Sequence, residues 1–362
     1  MRLTAALLAL TGLIALGGCG GSDQDEDAGP ALDPFFGVVS VDVPNSADFA
    51  RMAAGGVGSY RVVLAWSTIE AVKGTYDWSS YDAMMGELAR NGIAPQVSVI
   101  GTPSGYAKVL TDPPTSSPEA FDAWADFLQA AAERYGPGGE FWRALAEAEA
   151  DLEPQPVHTW EIWNEPNTAL FWTPAPDVDD YAALLKRSAR VITGVDPEAE
   201  IMVGGMFVTP QSDGAIVSYD FVEQLYSRAG VADVVDVVGV HPYSPDVPNL
   251  IEQLDGTREA IDEAGDDASI WITEMGWSSD PAGPSDQAKT PEQQANLLSK
   301  SFTKLSEQRD RWSLDGLIWF TWRDSEGPVG ECVWCQFAGL VDTDRDTKPA
   351  WAAYAEVTGG VP

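Results

Sequence analysis

The chain has 362 residues, of which 44% are hydrophobic, enough for the core of a large globular protein. Its 56 acidic residues outnumber its 21 basic residues and give a formal charge of −35 at pH 7. A field of this sign repels phosphate backbones and anionic lipid head groups, so it excludes nucleic acid as a partner and fits a neutral ligand.

The N-terminus has the features of a signal peptide. Arg2 precedes an apolar run from Leu3 to Leu16 that is too short to span a membrane, and small residues follow up to Cys19. The stretch LGGC, which ends at Cys19, resembles a bacterial lipobox, in which cleavage leaves the cysteine as a lipid-carrying N-terminus. Ordinary secretion with an incidental cysteine is the alternative. The first reading predicts an exported lipoprotein, anchored in the cell membrane only by this lipid, on the extracellular or periplasmic face.

A tether and one large domain follow. Residues 20–33 are rich in Gly, Pro and acidic residues, which predicts a flexible tether. From 34 to 358, apolar segments with β propensity alternate with amphipathic helical segments, without a break that would mark a second domain. The eight predicted strands are FGVVSV, SYRVVLAW, IAPQVSVI, VHTWEIW, AEIMVGGM, VVDVVGV, ASIWITE and GLIWFTW.

These strands predict an α/β fold, a single (β/α)8 TIM barrel. Near-continuous apolar strands are typical of a parallel sheet that is covered on both faces, and eight βα units of this size favour closure into one barrel. An extra helix, GGEFWRALAEAEAD, is expected before the fourth strand. A doubly wound open sheet is the alternative, but no G-x-G-x-x-G follows the first strand.

Polar and aromatic residues at the carboxyl ends of the strands are the candidate site residues, because these ends carry the active site in such barrels. They are Arg61, Trp66, Asn164, Glu165, His241, Tyr243, Glu274 and Trp322. His158 begins the fourth strand instead, so we expect it at the opposite, stabilising face.

Two of these residues, Glu165 and Glu274, each follow an apolar strand and have no basic neighbour in sequence. Strands four and seven lie across the barrel from each other, so the two carboxylates can face one another. Such a pair suits glycoside hydrolysis, in which one group donates a proton to the leaving oxygen and the other attacks the anomeric carbon or activates water. The structural alternative is that either glutamate pairs with Arg61 or caps a helix.

Four motifs carry a resemblance to a known group of enzymes. WEIWNEPN, ITEMGW, VHPY and the segment around Arg61 resemble the clan A retaining glycoside hydrolases, nearest to families 39 and 5. The resemblance implies that Glu165 is the acid/base and Glu274 the nucleophile. Asn164 would then donate to the sugar 2-hydroxyl, while Arg61 and Tyr243 would hold Glu274 ionised and oriented. For His241, a hydrogen-bonding role at the barrel rim and a sugar contact remain open.

The resemblance also implies a carbohydrate substrate and no cofactor or metal. Family 39 points to β-xylosides or to an exopolysaccharide cleaved internally, and family 5 to β-glucans or β-mannans. The sugar that is recognised, and whether the polymer is cleaved internally, depend on loops whose shapes cannot be read from composition. Export of the protein fits the processing of polymers. We expect a monomer.

Aromatic and cysteine residues complete the predicted site. Indole rings can stack on the C–H faces of sugars, and we predict Trp172 and Trp322 as such platforms and Trp163 as a packing residue. Cys332 and Cys335 are expected to form a disulfide that stiffens a loop beside the site. Zinc would need further ligands, and a thioredoxin-like redox role lacks its βαβ setting.

Two other functions compete with a glycosidase. A metal-dependent barrel hydrolase would need several histidines at strand ends, and the chain has two histidines in all. A catalytically silent, sugar-binding lipoprotein would have the same tryptophans and the same anchor. Loss of one glutamate would distinguish it, and both are present in the sequence.

Overall fold

The computed structural model describes residues 31–207, 214–280, 282–283, 285–327, 329–330 and 332–362. Within them, eight parallel strands form one closed barrel in chain order, and the last strand pairs with the first. They are β1 (Phe36–Val39), β2 (Ser59–Ala65), β3 (Ala94–Ile100), β4 (Thr159–Ile162), β5 (Glu200–Phe207), β6 (Val237–His241), β7 (Ser269–Met275) and β8 (Leu314–Phe320). The predicted TIM barrel is confirmed, and each predicted strand overlaps an observed one.

Helices separate the strands and cover the outside of the barrel. They are α1 (Ser46–Ala54), α2 (Trp66–Ile69), α3 (Ser79–Arg90), α4 (Pro118–Tyr135), α5 (Glu140–Ala148), α6 (Val178–Val195), α7 (Ser218–Tyr226), α8 (Val247–Glu263), α9 (Pro291–Glu307), α10 (Arg309–Trp312) and α11 (Pro349–Thr358). The extra helix that the sequence predicts before the fourth strand is α5.

Side-chain caps fix where several helices begin. Before α1, Asn45 accepts a hydrogen bond from the Asp48 backbone N–H, and the Asp48 carboxylate accepts one from the Asn45 N–H. Ser117 caps α4 in front of Pro118, whose missing N–H costs nothing at this position. These capping residues are neighbours of the helices in sequence, so the helix starts are specified locally.

The core lies both inside the barrel and between the strands and the helices. Every residue of β1, β4 and β6 is buried, as expected for strands covered on both faces. Among the residues that the structure describes, no helix combines the length and the apolar composition needed to cross a bilayer. The predicted signal peptide, the lipidated Cys19 and tether residues 20–30 lie outside the described residues and stay predictions.

Candidate active site

Glu165 and Glu274 meet at the carboxyl end of the barrel. Glu165 lies just after β4, Glu274 lies near the end of β7, and His241 ends β6. One side-chain atom from each of these three residues lies within 4.8 Å of the other two. The carboxylates that the sequence places at two distant strand ends therefore share one site.

Glu274 is held by two donors. Arg61 Nη1 donates to its Oε1 at 2.5 Å, and the Tyr243 hydroxyl donates to its Oε2 at 2.8 Å. Burial raises the pKa of Glu274, while the Arg61 charge and the Tyr243 hydrogen bond stabilise the ionised form and oppose that rise. The supporting contacts that the resemblance implies for Arg61 and Tyr243 are both present.

Arg61 is itself fixed by a buried carboxylate that the sequence analysis missed. Glu161, on β4 and fully buried, accepts hydrogen bonds from Arg61 Nε at 2.8 Å and Nη2 at 2.9 Å. The Gly205 N–H and Gln96 Nε2 donate to the same carboxylate at 2.7 and 3.3 Å. A glutamate inside an otherwise apolar strand was the signal, since a buried charge needs a partner.

Asn164 is oriented by the same arginine. Arg61 Nη2 donates to Asn164 Oδ1 at 2.9 Å, which identifies the oxygen end of the amide. The Nδ2 group is therefore the end that can donate to a bound molecule. This is the donor that the resemblance requires beside Glu165.

Glu165 sits on a constrained backbone beside a neutral histidine. Trp163 and Glu165 have φ values of 73° and 43°, in the left-handed region that side chains rarely adopt. The Glu165 N–H donates to the Gly205 carbonyl at 2.9 Å, which fixes this turn to β5. Burial raises the pKa of Glu165, whereas its hydrogen bond with His241 lowers it.

His241 has a hydrogen-bonding role and no free surface. Its side chain is fully buried, with Nδ1 2.9 Å from Glu165 Oε1 and Nε2 3.0 Å from the Thr273 hydroxyl. Burial lowers the pKa of His241, which favours the neutral imidazole. The alternative of a direct sugar contact is not supported, because both ring nitrogens are occupied. Thr273 is a further residue that the sequence analysis missed.

Trp172 and Trp322 are not sugar platforms, and the prediction for both is wrong. Each is 1% exposed. The Trp172 ring lies between Trp163 and Tyr181, with ring centroids 5.9 and 5.5 Å away. The Trp322 ring packs at 5.1 Å on Trp351 of α11, on the helix side of the strand end. Trp163 is buried, as predicted for a packing residue.

Other aromatic residues surround Tyr243 instead. Phe207 stacks on its ring at 5.5 Å, and Trp334 meets it edge-on at 5.0 Å. Trp334 is partly exposed, and it lies inside the loop closed by the Cys332–Cys335 disulfide, which the sequence predicts and the structure contains. The loop therefore presents an indole beside the residue that orients Glu274.

Glu165, His241 and Glu274 are also the candidate metal ligands among the described residues. Hydrogen bonds already engage both carboxylate oxygens of Glu274, through Arg61 and Tyr243, and join Glu165 Oε1 to His241 Nδ1. A positive guanidinium on Glu274 disfavours a cation at the same oxygen. The donor set fits a pair of working carboxylates better than a metal centre.

The comparisons with known proteins agree with this fold. A beta-xylosidase from Geobacillus stearothermophilus is 30% identical over 138 residues, which are 36% of this chain and 22% of the relative. A family 39 glycoside hydrolase from Bacteroides cellulosilyticus WH2 superposes with a TM-score of 0.64 at 21% identity, covering 91% of this chain and 64% of that one. A monomeric beta-xylosidase from Caulobacter crescentus CB15 gives a TM-score of 0.61 at 18% identity, covering 90% and 68%.

The chain thus spans about a fifth of the curated relative and about two thirds of these solved chains. A family profile described as "Glycosyl hydrolase catalytic core" matches residues 147–332, a range that includes Glu165, His241 and Glu274. Because this match covers just over half of the sequence, the chain belongs to the glycosyl hydrolase catalytic core family.

Proposed function

We propose that the chain is a retaining β-glycosidase that cleaves O-glycosidic bonds by double displacement. The observation that carries this proposal is that one carboxylate oxygen of Glu165 lies within 4.8 Å of one carboxylate oxygen of Glu274. Retaining enzymes hold their two carboxyl groups about 5–5.5 Å apart, whereas inverting enzymes need about 6.5–9.5 Å to admit a water molecule. The short separation favours direct attack by one carboxylate.

The partners of the two glutamates assign their roles. Glu274 accepts from a guanidinium and a phenol, which stabilise a carboxylate ready to attack. Burial raises the pKa of both glutamates, but the partner of Glu165 is an imidazole rather than a guanidinium, so its ionised form is less stabilised. Two carboxyl groups in different environments can thus hold one proton between them, on Glu165.

In the first step, a Glu274 oxygen bonds to the anomeric carbon as the bond from that carbon to the leaving oxygen breaks. The Glu165 proton moves to the leaving oxygen, so the aglycone departs as a neutral alcohol. In the second step, ionised Glu165 takes a proton from water, and the water oxygen displaces Glu274 from the anomeric carbon. Asn164 Nδ2 donates to the 2-hydroxyl, an interaction that strengthens in both transition states.

The substrate class we propose is a neutral, β-linked oligo- or polysaccharide, and the type of enzyme we propose is a family 39 glycoside hydrolase. The charge of −35 disfavours anionic polymers. A curated relative and a solved neighbour are beta-xylosidases, so β-xylosides are the first candidates, ahead of exopolysaccharides and β-glucans. An exported, lipid-anchored monomer that cleaves such a polymer internally is part of the same proposal.

The test is hydrolysis of a panel of aryl β-glycosides by wild type, Glu165→Ala and Glu274→Ala, with azide as an external nucleophile. We expect the α-glycosyl azide from Glu274→Ala and the β-glycosyl azide from Glu165→Ala. A wild type that is inactive on every glycoside but binds oligosaccharides would favour the silent sugar-binding protein. An alanine variant that matches wild type would overturn the assignment of that glutamate.

A further inference from the structure

Behind Glu165 lies a chain of buried hydrogen-bonding groups that the two-carboxylate mechanism does not use. It runs from Glu165 through His241 to Thr273, whose hydroxyl oxygen lies 3.4 Å from Glu161 Oε1, and the side chains of the last three residues are fully buried. Gly205 makes room for it, because a Cβ atom there would collide with both His241 Nε2 and the Thr273 hydroxyl. The chain is therefore built into the strands rather than formed by mobile surface groups.

The Thr273 hydroxyl has two acceptors within reach but one proton to donate. His241 Nε2 lies at 3.0 Å and Glu161 Oε1 at 3.4 Å. Oε1 already accepts from Arg61 Nη2 at 2.9 Å and from the Gly205 N–H at 2.7 Å, which fill its two lone pairs. The hydroxyl proton therefore goes to Nε2.

This choice determines the tautomer of His241. A neutral imidazole carries one N–H, and an Nε2 that accepts from Thr273 leaves that N–H on Nδ1. Nδ1 then donates to Glu165 Oε1 at 2.9 Å. Oε1 is an acceptor whether Glu165 is ionised or protonated, so the exchangeable proton is confined to Oε2, which the hydrogen bonds of the described residues leave free.

We propose that Thr273 is a positioning residue that fixes the His241 tautomer and so places the catalytic proton of Glu165 on Oε2, toward the leaving group. The inference rests on the proposed glycosidase activity. With the opposite tautomer, Nδ1 would be bare, and protonated Glu165 would donate to the histidine instead of the substrate. The Thr273 hydroxyl therefore determines whether the Glu165 proton can be donated to the leaving group.

The kinetic test compares Thr273→Val, which keeps the shape but removes the hydroxyl, with Thr273→Ser, which restores it. General acid catalysis contributes about 10²- to 10⁴-fold, and it matters most for poor leaving groups. We expect Thr273→Val to lower kcat/KM about 10-fold or more for alkyl β-glycosides, but only a few-fold for dinitrophenyl β-glycosides, with Thr273→Ser close to wild type. An equal loss on both substrate classes, or no loss on either, would overturn the proposal.

The pH profile should change as well, in its basic limb, which reports loss of the Glu165 proton. The charged and titratable groups that face His241 are Glu165, Glu274, Arg61, Glu161 and Tyr243, and Thr273→Val leaves all of them in place. We therefore expect the basic limb of the pH profile to be displaced in Thr273→Val and to stay at its wild-type position in Thr273→Ser. A basic limb identical in wild type and both variants would argue against the proposal.

A tautomer measurement is independent of activity. The chain has two histidines, and exposed His158 can be replaced, so His158→Gln leaves a single imidazole for ¹⁵N NMR. We expect a protonated Nδ1 and a bare Nε2. A proton on Nε2 would overturn the inference even in an active enzyme, whereas the expected tautomer in a chain inactive on all glycosides would place the failure in the proposed function.

Discussion

Arg61→Met removes the positive charge that pairs with Glu274, the proposed nucleophile, and with Glu161 inside the barrel. The guanidinium donates to Glu274, Glu161 and Asn164 at 2.5 to 2.9 Å, and it is almost completely buried. Methionine fills a similar volume without any donor. The substitution therefore leaves the buried Glu161 and the partly buried Glu274 without their cation and frees the Asn164 amide to rotate.

The substitution has two expected effects, a loss of folding free energy and a change in the pKa of Glu274. Breaking a buried ion pair from one side typically costs about 3–5 kcal/mol of folding free energy. Glu161 keeps its uncharged Gly205 and Gln96 donors, with the Thr273 hydroxyl at 3.4 Å, but no cation. An opposite charge at this distance lowers the pKa of a carboxyl by about 1–3 units. Losing Arg61 should therefore raise the pKa of Glu274 by about that amount. Since the proposed attack requires ionised Glu274, the acidic limb of the kcat/KM against pH profile should move to higher pH.

The assay is kcat/KM against pH on an aryl β-glycoside, together with the thermal unfolding midpoint of each variant. Arg61→Lys is the matched control, because it keeps the charge but not the three-way fork of donors, and we expect a smaller displacement of the acidic limb. An Arg61→Met enzyme that is folded and retains the wild-type acidic limb would refute the role assigned to Arg61.

Four further outcomes are expected. Tyr243→Phe should lower kcat more than it raises KM, because the hydroxyl contacts Glu274 rather than the substrate; an unchanged kcat would contradict this. Replacing Cys332 and Cys335 by serine should loosen Trp334 and raise KM, and Trp334→Ala should raise KM as well. A wild-type KM in both variants would show that this loop does not contribute to substrate binding. Exhaustive chelation should leave activity unchanged, and a loss restored by a divalent cation would favour a metal role. Cys19→Ser should release the exported protein from the membrane fraction, unless Cys19 carries no lipid.

The positions of the two glutamates were predictable because the fold is regular. Eight apolar strands predict a parallel barrel, and a parallel barrel brings every strand's carboxyl end to one face. Glu165 and Glu274 follow strands in sequence, so their meeting needed no knowledge of side-chain packing. The same logic identified Arg61, Asn164, His241 and Tyr243.

Side-chain direction beyond the strand ends was not predictable in this way. Trp322 follows β8 but turns its indole toward Trp351 of α11, and Trp172 packs among other aromatic rings, choices set by tertiary packing. Glu161 and Thr273 lie within strands. A charge in an apolar strand signalled that Glu161 needs a partner but not which one, and Thr273 gave no separate signal. Their roles became visible only from the distances that join them to Arg61 and His241.

The most direct test of the central claim is to trap the covalent intermediate. The enzyme is incubated with an activated 2-deoxy-2-fluoro β-glycoside of the glycone it prefers, digested, and analysed by mass spectrometry. The proposed mechanism predicts one added glycosyl unit on the peptide that carries Glu274. A glycosyl unit on Glu165, or turnover of substrate with inversion and no labelled peptide, would contradict it.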